Sequence, residues 1–284
     1  MVTLNDYILK ETAWCPGCGN FGIRDAVRDA MVEMGLEPHQ VLFASGVGQA
    51  AKLPVYITGN SYTGLHGRTL PAAQAIKLVN PNLKVFVFGG DGDGYAEGGN
   101  HLMHAIRRNV DLVYLVHDNQ VFGLTKGQAS PTSLQGHVGG MTPEGTQYPS
   151  FNPIPFAISL NIGFVARAFA RDKKHLVSII KQAAEYEGFA LIDVLQPCVT
   201  FNKVNTYKWY SERVYYLPDD YDPTNKALAF EKANEFGDRI PLGIIYRSDR
   251  PPYRGGEGNT KDNPFAFRER KPADFAFLNE ENRV

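Results

Sequence analysis

The chain has 284 residues, of which 43% are hydrophobic, so it is long enough to fold around a large α/β core. Its formal net charge is −1 at pH 7, which argues against a nucleic-acid partner or an anionic membrane surface. Three cysteines are too few for a secreted disulfide framework, and without a membrane-length apolar run or a signal-peptide pattern we expect a cytoplasmic protein.

Strand patterns alternate with amphipathic helix patterns from about residue 20 to residue 198. In chain order the pattern predicts helix, strand, helix, strand, helix and strand over residues 21–35, 40–45, 70–80, 84–90, 97–109 and 110–119. A strand, a helix and a strand follow over residues 163–170, 173–188 and 189–198. This alternation predicts an α/β fold, with a mostly parallel sheet, helices on both faces, and functional loops at the carboxyl ends of the strands.

Two stretches interrupt this alternation. Residues 123–158 are rich in Gly, Pro, Ser and Thr, and a loop of this length is usually functional or bound to a partner. After Cys198 the chain becomes polar, with one helical segment over 225–237 and one strand over 242–247. We predict a domain over residues 1–200 and a C-terminal extension over 201–284 that packs on the domain or on a partner subunit, its tail after Arg250 lying across a partner or fraying.

The strand over residues 84–90 leads into a glycine-rich turn that contains Asp91, and the next strand ends just before Asn119. In a right-handed βαβ unit these strands are parallel, so we expect Asp91 and Asn119 to approach each other at one edge of the sheet. Carboxylate and amide oxygens suit Mg²⁺, which completes its coordination with phosphates and water. Glycines let the backbone pass close to a diphosphate, whose charge a helix N-terminus favours. The pattern predicts a metal–diphosphate site.

Gly-Asp-Gly at residues 90–92, followed after 26 residues by Asn119, resembles the signature of thiamine diphosphate enzymes. The resemblance implies that Mg²⁺ is held by Asp91, Asn119 and the carbonyl of Val121. A glycine-rich turn with a helix-capping Asp would leave the spacing to Asn119 unexplained. A dinucleotide-binding site is less attractive still, because the next strand lacks a convincing acidic residue at its end. The predicted cofactor-binding residues are Gly90, Asp91, Gly92, Asp93, His66, Asn119, Val121, Gly123 and Leu124.

Cys15 and Cys18 have the spacing of a redox pair, of half a zinc site, or of part of an iron–sulfur cage. A thioredoxin-like pair should follow a clear strand, but the residues before Cys15 are too short and irregular to form one. Cys198 lies at the end of a predicted strand, at the edge where the loops collect, so three thiolates could meet there. Thiolates suit both zinc and iron, and both kinds of site stay open.

Several motifs, among them "WCPGCGNFGI", "FGGDGD", "HDNQVFGLTKGQASPT" and "ALIDVLQPC", closely resemble the β subunit of 2-oxoacid:ferredoxin oxidoreductases. The resemblance implies a thiamine diphosphate-binding fold, oxidative decarboxylation of a 2-oxoacid, transfer of the acyl group to CoA, and electrons passed to ferredoxin. It also implies a heteromer, because a separate α subunit must supply the pyrimidine-binding domain and its glutamate. We therefore assign no catalytic residue to this chain.

The same resemblance implies an iron–sulfur cluster bound by Cys15, Cys18 and Cys198. Gln49 stands where the family has a fourth cysteine, so the cluster is of the four-iron or the three-iron type. Amide oxygen is a harder and weaker donor for iron than thiolate, which predicts a more labile centre than in a four-cysteine relative.

For the substrate we favour 2-oxoglutarate, because the "GDGDGYAEGGNH" region resembles that branch of the family. Lys52 and Lys126 lie in glycine-rich loops and are candidate partners for a substrate carboxylate, although a lone lysine is more often simply solvated. His66 is a candidate to face the thiamine. Two other functions stay open: a subunit of a non-oxidative thiamine-dependent 2-oxoacid decarboxylase, which needs no electron path, and a non-catalytic assembly subunit.

Overall fold

A computed structural model describes residues 1–256 and 258–269 of the chain. The strands are β1 (Val41–Ser45), β2 (Asn60–Thr63), β3 (Lys84–Gly90), β4 (Leu112–Asp118), β5 (Phe164–Phe169), β6 (Phe189–Leu195), β7 (Val214–Tyr216) and β8 (Ile240–Arg247). The α-helices are α1 (Asn20–Glu33), α2 (Thr69–Val79), α3 (Gly99–Arg108), α4 (Pro153–Ser159), α5 (Lys173–Glu185), α6 (Tyr207–Ser211) and α7 (Lys226–Ala233). Shorter helical turns cover Pro38–Gln40, Ala50–Val55, Gly92–Glu97 and Phe265–Phe267.

The strands form one sheet in the order β2-β1-β3-β4-β6-β5-β8-β7. Every neighbouring pair is parallel except β5 and β8, which run antiparallel. Gly90 of β3 lies opposite His117 of β4, and Asp118 of β4 lies opposite Leu195 of β6. The predicted mostly parallel sheet is confirmed, and the carboxyl ends of β3, β4 and β6 are level with one another.

Helices cover both faces of the sheet, as predicted. Alternate residues of β3 face opposite layers: Phe86 and Phe88 pack in the layer with α1 and α5, whereas Val87 packs in the layer with α2 and α3. Every residue of β4 and β6 is buried, which explains why these strands appear in the sequence as nearly continuous apolar runs. Burying one large apolar side chain stabilises a folded protein by about 1.5–3 kcal/mol. The many buried side chains of these two layers therefore stabilise the sheet that carries the edge loops.

The elements that the sequence pattern missed are short or exposed. All four residues of β2 are exposed, so this edge strand carries no apolar signal. The long loop stays irregular as far as Asn152, whose side chain accepts a hydrogen bond from the N–H of Ile154 and so starts α4. No helix among the described residues is long and apolar enough to cross a membrane.

The C-terminal segment packs on the same chain as far as the structure describes it. Strand β8 pairs with β5, so part of the predicted extension belongs to the sheet. Beyond it, Arg250 donates hydrogen bonds to the carbonyls of Ile106 and Asn161, each at 2.8 Å. The described tail therefore lies across its own domain, whereas residues 270–284 of the predicted tail lie outside the described residues.

Asn109 ties the tail to the domain. It ends α3 in the left-handed conformation, with φ 57°, and it is fully buried. Its Nδ2 donates to the carbonyls of Arg250 and Pro251, each at 3.0 Å, and its Oδ1 accepts from the N–H of Phe189 at 3.0 Å. One side chain thus joins a helix end, the start of β6 and the tail.

We predict that Asn109→Gly lowers the free energy of unfolding by about 2–3 kcal/mol, because the three hydrogen bonds of a buried side chain are lost while glycine adopts the same backbone conformation easily. Asn161→Gly is the matched control, since Asn161 has φ 58° but is exposed. Urea denaturation of both variants measures the difference. Equal stability of the two variants would show that Asn109 acts only through its backbone.

Candidate active site

Four neighbouring parallel strands deliver the predicted site residues to one edge of the sheet. Strands β1, β3, β4 and β6 are adjacent in the sheet, and Gln49, Asp91, Asn119 and Cys198 each follow the end of one of them by no more than a few residues. Because the strands are parallel, all four loops emerge on the same side. This placement follows from strand pairing alone.

A cleft of about 100 Å³ lies between the loops that follow β1, β2, β3 and β4, and we call it the Asp91 cleft. It brings together all nine of the residues predicted to bind the cofactor. Its lining consists of Val47, Gly48, Gln49, Ala50, His66, Gly90, Asp91, Gly92, Asp93, Asn119, Val121, Phe122, Gly123, Leu124 and Thr125. The expected approach of Asp91 and Asn119 is thus seen in the structure.

Asp91 is buried and is held by a residue that the sequence did not single out. The hydroxyl of Thr132 lies 2.6 Å from Asp91 Oδ2 and 2.7 Å from Asp118 Oδ1. Burial raises the pKa of Asp91 to about 6 and raises the pKa of Asp118 well above its usual value. Among the described residues no basic side chain forms an ion pair with Asp91. A divalent cation at Asp91 Oδ1 would supply the missing positive charge, so the residues fit Mg²⁺.

A tight turn places the other two predicted ligands. Asn119 Oδ1 accepts a hydrogen bond from the N–H of Val121 at 3.0 Å, and Gln120 between them is left-handed, with φ 60°. Asn202 donates to the carbonyl of Asn119 at 3.2 Å and so fastens the turn to the loop after β6. Asn119 and Val121 therefore both line the Asp91 cleft.

Asp93 organises the opposite wall of the cleft. Its Oδ1 accepts hydrogen bonds from the N–H of Val47 at 3.1 Å and of Gly67 at 2.8 Å, which joins the loops after β1 and β2. A Cβ on Gly46 would stand 2.2 Å from Asp93 Oδ2, so the close approach of this loop requires glycine. His66 is partly exposed on the cleft, and its Nδ1 lies 3.8 Å from Asp93 Oδ1. The direct contacts of Asp93 are thus with loop backbone.

The two predicted substrate lysines stand outside the lining of the Asp91 cleft. Lys52 is partly buried in the helical turn that follows Gln49. Lys126 is exposed and left-handed, with φ 73°. Both belong to loops that border the cleft, so their role toward a substrate stays a prediction.

The three cysteines line one further pocket, which we call the cysteine pocket. Cys15 is exposed, Cys18 and Cys198 are partly buried, and none of them forms a disulfide. The lining is Trp14, Cys15, Cys18, Asn20, Gln49, Asn119, Gly123, Gln196, Cys198, Val199, Thr200 and Phe201. Gln49, Asn119 and Gly123 line the Asp91 cleft as well, so the two cavities share a wall.

The cysteine pocket contains three thiols and the amide group of Gln49 as possible donors to iron. No three His, Cys, Asp or Glu side chains within the described ranges are arranged to hold one metal ion. A cluster of several irons is wider than one ion, so its ligands stand farther apart. Gln49 Oε1 is buried without a hydrogen-bond partner in the described part of the chain, as expected of an atom that awaits a ligand.

Burial, and to a smaller extent the neighbouring Cys198 and Cys15, raise the pKa of the Cys18 thiol to about 11. The backbone N–H of Asn20 and the amide of Gln196 act in the opposite direction. The Cys198 sulfur accepts a hydrogen bond from the N–H of Phe201 at 3.4 Å. N–H donors around sulfur are the surroundings that stabilise thiolate bound to a metal.

Two protein families match successive parts of the chain, and the boundary between the two matches falls at the end of β6. The family described as thiamine pyrophosphate enzyme, C-terminal TPP binding domain, matches residues 39–194, and thiamine pyrophosphate is another name for thiamine diphosphate. The family that describes the C-terminal part of the pyruvate ferredoxin oxidoreductase beta subunit matches residues 198–261.

A 2-oxoacid:ferredoxin oxidoreductase subunit beta of Sulfolobus sp is 45% identical over 92% of this chain and 89% of that protein. The 2-oxoglutarate oxidoreductase subunit KorB of Mycobacterium tuberculosis is 40% identical over 68% of this chain and 52% of its own length. A solved 2-oxoglutarate:ferredoxin oxidoreductase from Magnetococcus marinus, with 2-oxoglutarate, coenzyme A and succinyl-CoA bound, superposes with a TM-score of 0.86 at 35% identity, over 95% of this chain and 97% of that chain. The chain therefore belongs to the family of 2-oxoacid:ferredoxin oxidoreductase β subunits, as its motifs indicated.

Proposed function

We propose that the chain is the thiamine diphosphate-binding half of a CoA-dependent 2-oxoacid:ferredoxin oxidoreductase that acts on 2-oxoglutarate. The observation that carries the proposal is the shared wall of Gln49, Asn119 and Gly123 between the Asp91 cleft and the cysteine pocket. A cofactor in the first cavity and an electron carrier in the second would be separated only by these residues. A decarboxylase that releases its product without oxidation has no use for the second cavity.

In the proposed enzyme the Asp91 carboxylate, Asn119 Oδ1 and the Val121 carbonyl would hold Mg²⁺, and this ion would supply positive charge for the diphosphate. Glycines 90 and 92 let the backbone approach the phosphates closely. Thiamine diphosphate, when bound, supplies the electron sink for decarboxylation. The chain itself orients the cofactor by its diphosphate end and keeps Asp91 in place through Thr132.

The pyrimidine end of the cofactor needs a binding domain that the described residues do not supply. The sheet takes up residues from Val41 to Arg247, and the rest of the described chain forms no second sheet that could serve as a pyrimidine-binding domain. The relatives are named as β subunits, which implies an α partner. We infer that this α partner lies over the Asp91 cleft and supplies the activating glutamate.

We infer that Cys15, Cys18 and Cys198 bind a four-iron or three-iron cluster whose electrons pass to ferredoxin. Two observations support this: the cysteines share one pocket, and the unpartnered Gln49 Oε1 lies in the wall of that pocket. Gln49 stands at the end of the β1 loop, where it can offer oxygen to the iron that lacks a thiolate. Oxidation by air, which removes one electron and releases that iron as Fe²⁺, would leave the three-iron form.

For the substrate, 2-oxoglutarate is supported by the names of relatives and by the ligands of the structural neighbour. Its second carboxylate distinguishes it from pyruvate and needs a positive partner. We propose Lys52 and Lys126 for this role, since both lie on loops beside the cleft. The other reactants would be CoA and ferredoxin, and the products succinyl-CoA and CO₂.

We predict that Asp91→Ala weakens thiamine diphosphate binding in the presence of Mg²⁺ by more than about tenfold. Removal of a metal ligand should lower metal affinity at least as much as removal of a residue that only supports such a ligand. Asp220→Ala, which removes an exposed carboxylate, is the control. Calorimetric titration of the αβ enzyme measures the affinity, and circular dichroism monitors the fold. Unchanged cofactor binding in folded Asp91→Ala protein would refute the assignment of the metal site.

We predict that anaerobically purified αβ enzyme contains iron and sulfide, absorbs broadly in the visible range, and gives a low-temperature paramagnetic signal. Gln49→Cys should slow the loss of this colour in air, because a thiolate replaces an amide oxygen. Gln49→Ala should speed the loss. Colourless, iron-free protein that still reduces ferredoxin, or stoichiometric zinc, would overturn the cluster assignment.

We predict that Lys52→Ala lowers the ratio of kcat/KM for 2-oxoglutarate to kcat/KM for pyruvate more than Lys126→Ala does. Lys126 is exposed, and an exposed ion pair contributes about 0.2–1 kcal/mol, or about fivefold at most. A partly buried lysine that becomes desolvated can contribute more. Lys174→Ala, on α5, is the control. If the ratio is the same in all three variants, neither lysine selects the substrate.

A further inference from the structure

Gln196 follows the end of β6 and is almost completely buried, with 1% of its surface exposed. Its backbone N–H donates to the carbonyl of Asp118 at 2.9 Å, which extends the pairing of β4 and β6 by one residue. Its side chain lines the cysteine pocket two residues before Cys198. A glutamine is thus built rigidly into the wall of this pocket.

The amide group of Gln196 points its nitrogen at sulfur. Nε2 donates to Cys18 Sγ at 3.6 Å and to the carbonyl of Pro197 at 2.8 Å, so both N–H bonds have acceptors. Its Oε1 is buried and has no hydrogen-bond partner among the described residues. A buried amide with an unsatisfied oxygen costs stability, and a leucine of similar size would avoid that cost. The orientation of the amide therefore calls for an explanation beyond packing.

Gly19 makes this approach possible. A Cβ on Gly19 would stand 2.8 Å from Gln196 Cγ and 3.0 Å from its Nε2. Contacts this short would push the amide away from Cys18, which is the preceding residue in the chain. Gly19 thus leaves room for the side chain of Gln196, although 176 residues separate the two in the sequence.

We propose that Gln196 is a positioning residue that sets the reduction potential of the cluster through its N–H···S hydrogen bond to Cys18. The inference rests on the iron–sulfur cluster of the proposed function. A donor to a ligating sulfur stabilises the reduced cluster, which carries one more negative charge, more than it stabilises the oxidised cluster. The hydrogen bond therefore raises the potential, and its removal lowers it.

The test is potentiometric titration of the anaerobic αβ enzyme, followed by its paramagnetic resonance signal. Gln196→Leu should shift the midpoint to more negative potential by about 59 mV, which is a tenfold change in a one-electron equilibrium. Gln196→Glu should shift it further in the same direction, because a carboxylate removes the donor and adds negative charge. Gln74→Leu is the control, since Gln74 is also a buried glutamine with an unpartnered Oε1 but lies on α2.

Gly19→Ala is a second, independent variant that should displace the amide and lower the potential even though Gln196 is present. The double variant Gly19→Ala with Gln196→Leu should then show no further shift.

Full iron content with an unchanged potential in Gln196→Leu would overturn the inference and leave the cluster assignment intact. Loss of iron in Gln196→Leu but not in Gln196→Glu would also overturn it, because Gln196 would then be an iron ligand. A wild-type enzyme without iron would instead overturn the proposed function.

Discussion

The parallel pairing of β1, β3, β4 and β6 is the constraint on which the rest of the site depends. Each pair fixes its register through buried backbone hydrogen bonds, and parallel strands release all of their carboxyl ends at one edge. The residues at the ends of these strands, from Gln49 to Cys198, span 149 positions of the sequence. They meet around two cavities with a common wall.

Of the buried carboxyl groups of Asp91, Asp118 and Asp193, only that of Asp193 forms an ion pair among the described residues. Below the loops, Asp193 is held by the hydroxyl of Tyr95 at 2.9 Å and by the buried guanidinium of Arg167 at 3.4 Å. Asp91 and Asp118 share the single hydroxyl of Thr132, which can donate to only one of them. Buried carboxylates are costly unless a proton or a cation accompanies them, and the raised pKa values of Asp91 and Asp118 reflect that cost.

The sequence predicted the parts of the molecule whose signal is local. Strands β3 and β4 are apolar runs ended by glycine or by Asp118-Asn119, and the spacing of Asp91 and Asn119 could be recognised within one βαβ unit. Thr132 could not be found in this way, because its partners lie 41 and 14 residues away and its own surroundings have the composition of a loop. The contact of Gly19 with Gln196 depends on how α1 packs beside β6, and one sequence contains no record of that packing.

We have proposed that a thiamine diphosphate cleft and an iron–sulfur pocket adjoin within this chain. The most direct test is X-ray diffraction from crystals of the loaded αβ enzyme, with data collected on either side of the iron and the zinc absorption edges. We expect an anomalous iron peak between the sulfur atoms of Cys15, Cys18 and Cys198, with thiamine diphosphate and Mg²⁺ beside Asp91 across the wall formed by Gln49. A zinc peak in the cysteine pocket, or cofactor density with no metal there, would contradict it.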